Sequence, residues 1–516
     1  MRGTTRSGLR VQSQGRAYAA VIGVTVGMLF AGLAVPLAFG DNPSNATPDS
    51  ASVKLDPTLT TSGPGASGAP GATAPTAAAT LPGGKAPGAT TGATGLSGTT
   101  GAAGAGTTGT TGTTGGGARP SGLTATDVGV TSTTVKIGVV LLDIQKLQPV
   151  GFSQPNFTPA DQQARFQAFF DSINKQGGLA HRKVVLVYRT WDALDTNGSH
   201  SAAAVCSQLA EDEKVFAAVG FLGGNIAECL TEQHGIPAIA DAGHINEAYT
   251  KSHFLLASPF ARLERGTANW GYLAATSGLV HGRKTGTVSM DVPEESRPEQ
   301  SLVDSLKAQG EPVTYRSHLA SDQASAQSQM PVEVSKMQQA GVNTVFLCTN
   351  FIVALQFAQT AEKQGFKPLY VVSDLGSLQA EGLVRDMPAS FDGAYLFTQS
   401  LTITPENAPN KQCRLEYNAN NGANQDFSSP DPGGALTLAC WMAHVLDMAA
   451  GKLGVDLTRK GIAAAFQQLG APNLPHTQPG SFAAGKTDWV DYMRIARYAT
   501  SCHCYHPVSG SQRGRY

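Results

Sequence analysis

Val135–Leu142 reads VKIGVVLL, and Phe169–Asp192 reads FFDSINKQGGLAHRKVVLVYRTWD. The first run is short, apolar and rich in β-branched residues, which suits a strand buried on both faces. Pro159–Lys175 then alternates apolar and polar residues at helical spacing, and Gly177 supplies the left-handed cap that ends such a helix. Val184–Arg189 is again a β-branched run. Strand, helix and strand at this spacing predict a βαβ unit, and hence a parallel sheet.

Working outward, the same alternation continues. Strands are predicted at Phe216–Gly220, Ala238–Ala240, Thr285–Met290, Pro312–Ser317, Thr344–Leu347, Leu369–Ser373 and Ala394–Phe397. Helices are predicted at Ser199–Asp212, Arg262–Thr276, Arg297–Gln309, Met330–Ala340 and Ile352–Gln364, several of them stopping at Gly310, Gly341 or Gly365. About five strands precede Ser258-Pro259, and a second β/α series starts near Thr285. The expected fold is therefore α/β, with two Rossmann-like lobes whose parallel sheets are joined by hinge crossovers. Lobe 1 takes about 134–257 and 399–480, and lobe 2 about 258–398 and 481–516, within a bilobal region 128–516. Open parallel sheets bind ligands beyond the carboxyl ends of their strands, so two such lobes face to face enclose a cleft.

Upstream, residues 41–127 are almost wholly Gly, Ala, Thr, Pro and Ser. Such a composition cannot bury enough apolar surface to offset chain entropy, which predicts a disordered tether, its ends on the order of 50 Å apart. Residues 1–40 carry Arg2, Arg6, Arg10 and Arg16 and then no charge from Ala17 to Gly40. This predicts export, as a cleaved signal peptide with Ala38-Phe39-Gly40 at its end or as an uncleaved membrane anchor. The folded part is then extracytoplasmic, either anchored in the cell envelope or secreted. Seven cysteines in an exported chain allow disulfides. Cys206 with Cys229 is the expected pair, on helices flanking one strand. Cys413 with Cys440, and Cys502 or Cys504 with either neighbour, come next, and Cys348 reads as a buried free thiol. The net charge of −1 gives no electrostatic footing for nucleic acid.

With these elements in order, the chain resembles the type I periplasmic solute-binding proteins, in particular the branched-chain amino acid (Leu/Ile/Val-type) receptors of ABC transporters. The resemblance runs from Thr134 to Tyr498. It rests on VKIGVVLL, on DSINKQGGLAHRKV at Asp171–Val184, on VFAAVGFLGGNIAECLTEQHGIPAIAD from Val215, on MQQAGVNTVFLCTN from Met337 and on AEKQGFKPLYVVSD from Ala361. It implies a receptor that captures a small molecule, an amino acid or related metabolite, between closing lobes. It also implies delivery to an ABC permease, with no cofactor. The alternative is a tethered sensor acting through a separate membrane signalling protein.

The resemblance places candidate ligand contacts in loops after strands. Phe221–Asn225 (FLGGN) contributes Gly223, Gly224 and Asn225, a backbone nest without the hydroxyls that usually hold an amino-acid carboxylate. Asp241–Ile245 (DAGHI) contributes Gly243 and His244. The second lobe contributes Asp291, Asn350 and Asp374, the last near the position of an acid that pairs with an α-ammonium. Each has a plainer role open to it: a tight turn for the glycines, a helix cap for Asn225, Asp291 or Asp374, a surface loop for His244. Trp191, after the second strand, stacks on a ligand or packs in the core.

Gly480–Thr487 (GSFAAGKT) matches a phosphate-loop pattern. It follows a Pro-rich loop and too little chain remains for a nucleotide-hydrolysing core, so Lys486 is not expected to bind phosphate. Cys502, His503, Cys504 and His506 have poor spacing for structural zinc, so no metal is expected. No nucleophile or acid–base pair stands out, so the expectation is a receptor rather than an enzyme.

Overall fold

The first strand leads into a parallel sheet that covers one half of the molecule. The computed structural model describes residues 122–146, 157–192, 195, 197–401, 408–421 and 434–514. The expected export segment 1–40, and the tether as far as residue 121, lie outside the described residues. At its downstream end the expected tether gives way early to fixed chain. Arg182 donates to the Thr124 carbonyl, Thr126 Oγ1 donates to the Leu457 carbonyl, and the Arg459 N–H donates to Asp127.

The first sheet runs β2-β1-β3-β4-β5, all parallel, with β1 Thr134–Leu142, β2 Lys183–Trp191, β3 Ala217–Gly220, β4 Ala238–Ala240 and β5 Leu256–Ala257. Its crossover helix α1 (Pro159–Lys175) starts with a capping box between Thr158 and Asp161 and has Pro159 in its first turn, the features that satisfy orphan N–H groups. Phe166, Phe169, Phe170 and Ile173 on its buried face meet β1 and three helices from much later in the chain. These are α10 (Ala408–Asn421), α11 (Ala435–Gly451) and α12 (Arg459–Phe466). The opposite face of the sheet packs on α2 (Ala202–Ser207), α3 (Ile226–Glu228) and the π-helical turns that extend them. Cys206 and Cys229 form a disulfide across that face, as expected, and Cys413 pairs with Cys440. Cys502 pairs with Cys504, and Cys348 is a buried free thiol that burial pushes well up in pKa.

The second sheet runs β12-β11-β10-β9-β8-β6-β7, with β13 (Gln512–Arg513) beside β11. Its parallel members are β6 Thr285–Met290, β7 Tyr315–Leu319, β8 Thr344–Leu347, β9 Leu369–Ser373 and β10 Tyr395–Thr398. β11 (Tyr492–Ala499) and β12 (Cys504–Pro507) then add antiparallel to the edge. Helices α5 (Leu263–Thr276) and α6 (Pro293–Ala308) cover one face. α7 (Gln323–Gln339), α8 (Phe351–Lys363) and the short α9 (Glu381–Val384) cover the other.

Three chain crossings join the halves. The first follows β5 at Ser258–Ala261 and the second follows β10 at Thr398–Ser400. The third comes at Asp491, because Phe482, Trp489 and Val490 still pack in the first-sheet core, later than the expected boundary at 481. The crossings are laced together. Gln399 accepts from the Ala261 N–H at 2.7 Å, and Trp489 N–H donates to Ser258 O at 3.0 Å. Asp488, fully buried, takes Arg262 and Arg265, and Arg265 also reaches Asp491. Lys486 donates to the carbonyls of Ser481, Asp488 and Trp489 and pairs with Asp491. Its ammonium is thus committed within its own loop, which leaves the phosphate-loop pattern a coincidence of sequence.

Candidate functional site

Both sheets present their carboxyl ends to the same space, as the topology of open parallel sheets requires of a site. A cavity of about 570 Å³ lies there, lined from both halves and from the crossings. From the first sheet come Leu142 at the end of β1 and Ile144 after it, Trp191 at the end of β2, Phe221–Asn225 after β3 (except Leu222), Asp241–Ile245 after β4, and Glu228 on α3. From the second come Asn350 and Phe351 after β8, Ser373 at the end of β9 with Asp374–Ser377 after it, and Glu294 and Glu295 on α6. The crossings add Phe260, Ala261, Gln399 and Ser400.

Gly223 and Gly224 lie directly against Trp191. A Cβ on Gly223 would come within 2.5 Å of the indole, and one on Gly224 within 2.9 Å, with Gly224 at φ +61°. The turn is therefore glycine because a ring occupies the space, and the ring faces the cavity. Asn225 is left-handed too (φ 72°) and makes no capping bond to α3, so its amide is not spent on the helix. Gly243 is required by a close approach to the first crossing, since a Cβ there would meet the Ala261 carbonyl oxygen at 2.1 Å. His244 Nδ1 lies 2.9 Å from Glu228 Oε1. Burial works to raise the Glu228 carboxyl, but the His244 hydrogen bond and charge outweigh it and hold the carboxyl below its usual range.

The second-lobe candidates behave differently. Asn350 Oδ1 accepts from the Ile352 and Val353 N–H groups, and so caps α8, while its Nδ2 donates to Glu295 at 3.1 Å. Glu295 also accepts from the Met290 and Asn350 N–H groups, and burial raises its pKa. Asp374 accepts from Thr398 Oγ1 at 2.6 Å and from the Gln399 N–H. Its carboxyl therefore grips the second crossing while lining the cavity, and burial pushes it up to about 7. Asp291 is exposed and absent from the cavity wall; its N–H donates to Leu319 O at the far side of β6. The inward position there is taken by Glu295, one turn into α6.

Several wall residues were not singled out from sequence. Phe157 and Phe221 meet edge-to-face at 5.4 Å. Asp241 accepts from the Leu222 N–H and is pushed up to about 6 by burial. His476, buried and in a left-handed conformation (φ 75°), stands edge-on to Phe260, and burial lowers its pKa to about 3, so it is neutral. Asp241 sits inside the DAGHI loop already read as a site. His476 arrives from a Pro-rich segment that carries no periodic signal.

Residues 134–501 match the family model described as periplasmic binding protein. The chain belongs to the periplasmic binding protein family. As a periplasmic binding protein it has the type I fold, and its family is one of solute-binding proteins. A Desulfitobacterium hafniense ABC transporter substrate-binding protein, in complex with Leu, matches with TM-score 0.54 and 13% identity, over 72% of this chain and 99% of that one. A fatty acid ABC transporter substrate-binding protein from Thermomonospora curvata matches with TM-score 0.56 and 16% identity, over 77% and 96%. An R. palustris solute-binding protein in complex with 4-hydroxybenzoate matches with TM-score 0.56 and 14% identity, over 74% and 98%. At such identities the likeness is one of fold. No curated protein sequence matches the chain. Among the described residues no helix is long and apolar enough to cross a membrane.

Proposed function

We propose that this periplasmic binding protein works outside the cytoplasm as the solute receptor of an ABC importer, closing its lobes on one small molecule and presenting the closed form to a permease. The observation that carries this reading is the cavity at the carboxyl ends of both sheets, walled by both lobes and by the crossings between them. A cavity of this size suits one metabolite-sized ligand. Closure by rotation about the crossings would bury that ligand in the manner of a hinge. In this reading Trp191, Gly223, Gly224, Asn225, Gly243 and His244 meet the solute from the first lobe. Asn350 and Asp374 shape the opposite wall, and Asp374 ties that wall to the hinge.

Native mass spectrometry of the purified protein, before and after solvent-induced unfolding, tests it. The expected result is a one-to-one small-molecule adduct released on unfolding, whose affinity falls when Trp191 is replaced by Ala. A protein that carries no adduct and binds no member of a metabolite library would refute the receptor role.

A further inference from the structure

The chemistry of the wall narrows the solute class, on the reading that the cavity is the receptor's binding site. Five carboxyl groups line it, on Glu228, Asp241, Glu294, Glu295 and Asp374. Among the described residues of the wall there is no Lys and no Arg. The nearby guanidinium groups of Arg262 and Arg265 are committed to Asp488 and Asp491. Of the two wall imidazoles, His476 is held neutral by burial and His244 is engaged with Glu228.

Two wall oxygens are left without donors. Glu228 Oε2 and Gln379 Oε1 are inaccessible to solvent and have no hydrogen-bond partner. One belongs to the first lobe and the other to the second, and both line the cavity. A buried acceptor with no donor is costly, and an ionised one more so. What the wall lacks is therefore the permanent positive charge of a Lys or Arg. A carboxylate solute would find donors in the backbone of Gly223–Asn225, but Glu228 and Asp241 stand on the same wall and would repel it at low effective dielectric.

The rest of the wall is apolar and aromatic. Trp191, Phe157, Phe221, Phe260 and Phe351 offer ring faces and edges, with Leu142, Leu383 and Leu438 between them. Ring faces attract cations and pack flat apolar bodies.

We propose that the solute is a cationic amine on an apolar, ring-sized body, with its nitrogen at the carboxylate side of the wall beside Glu228 and its body stacked on Trp191. This departs from the leucine and 4-hydroxybenzoate named for two proteins of the same fold, both of which bear a carboxylate.

The test is titration calorimetry of the full-length chain, stripped of bound solute by unfolding and refolding, with three probes of one shape: phenethylamine, phenylacetamide and phenylacetate. The expected order of affinity is amine, then amide, then acid, with the amine at least about tenfold tighter than the acid. Glu228→Gln should weaken the amine about tenfold and leave the amide within about twofold, with the melting temperature checked alongside. Phenylacetate binding as tightly as phenethylamine would overturn the assignment while leaving the receptor role intact, as would an amine affinity that Glu228→Gln does not change. Failure of all three probes to bind would overturn the solute class alone, because the receptor role is judged separately by the co-purified adduct.

Discussion

At the scale of single residues, the cavity wall is built by groups that each do two things. Gly223 makes a turn and makes room for Trp191, so the indole is fixed from behind and exposed in front. Trp191→Ala is expected to weaken binding of the co-purified solute by on the order of 2 kcal/mol, roughly thirtyfold in Kd, as measured by calorimetry. Asp374 lines the cavity and holds the second crossing through Thr398 and Gln399. Its carboxyl has an ordinary value near 3.8 and is raised to about 7 by burial in the fold. Between those values the folded chain binds more protons than the unfolded one, so this group's contribution to stability is lost as pH rises from about 4 to 7. Asp374→Asn keeps a side chain able to bond both partners and removes the titration. The variant should therefore gain on the wild type across that range, by on the order of 3 kcal/mol at most, as read from urea unfolding at pH 4.5 and pH 8. A difference that stays constant with pH would show that Asp374 is not the group titrating.

At this scale the sequence was legible in part. Loops after strands are visible in it, so Gly223, Gly224, Asn225, Gly243, His244, Asn350 and Asp374 were all placed at strand ends, and all line the cavity. Asp291 was placed by the same logic and does not. What decides between them is which helix residue turns inward, and Glu295 does so because its carboxylate takes the Met290 and Asn350 N–H groups, the second of them distant in sequence. That Asn350 and Asp374 serve the fold as well as the wall also depends on partners distant in sequence.

At the scale of elements, the βαβ pattern predicted the central strands closely. Two helices start earlier than expected. α6 and α7 run on N-terminally through Pro298 and Pro331, whereas a proline read from sequence suggests the first turn of a helix. α11 carries little amphipathic signal because nearly every residue in it is buried, and periodicity needs a polar face to be seen. The two-residue β5 is too short to stand out. The Cys206–Cys229 pair was legible because both cysteines fall on helices flanking one strand. It closes a loop with a sequence separation of 23, and its removal by Cys206→Ser with Cys229→Ser should cost about 3 kcal/mol, seen as a lower denaturant midpoint. An unchanged midpoint would mean that packing alone holds α2 against α3.

At the scale of the whole molecule, each lobe has its own core, and the two are joined by Phe351 and Leu383 of the second lobe packed against the first-lobe core and by a few polar groups at the crossings. Asp488 is the most committed of these, fully buried and bonded to Arg262 and Arg265. Asp488→Ala leaves two partly buried guanidinium groups without their shared partner and should cost on the order of 3 kcal/mol. Asp291→Ala, at an exposed loop outside the cavity, should change neither stability nor binding measurably. Equal effects of the two substitutions in thermal unfolding would contradict the hinge described here. The motion itself is open to measurement with spin labels on Val185→Cys and Val332→Cys, exposed positions of the first and second lobes. Saturating the protein with its co-purified solute should shift and narrow the distance distribution between them; full occupancy with an unchanged distribution would contradict closure of the lobes on the solute.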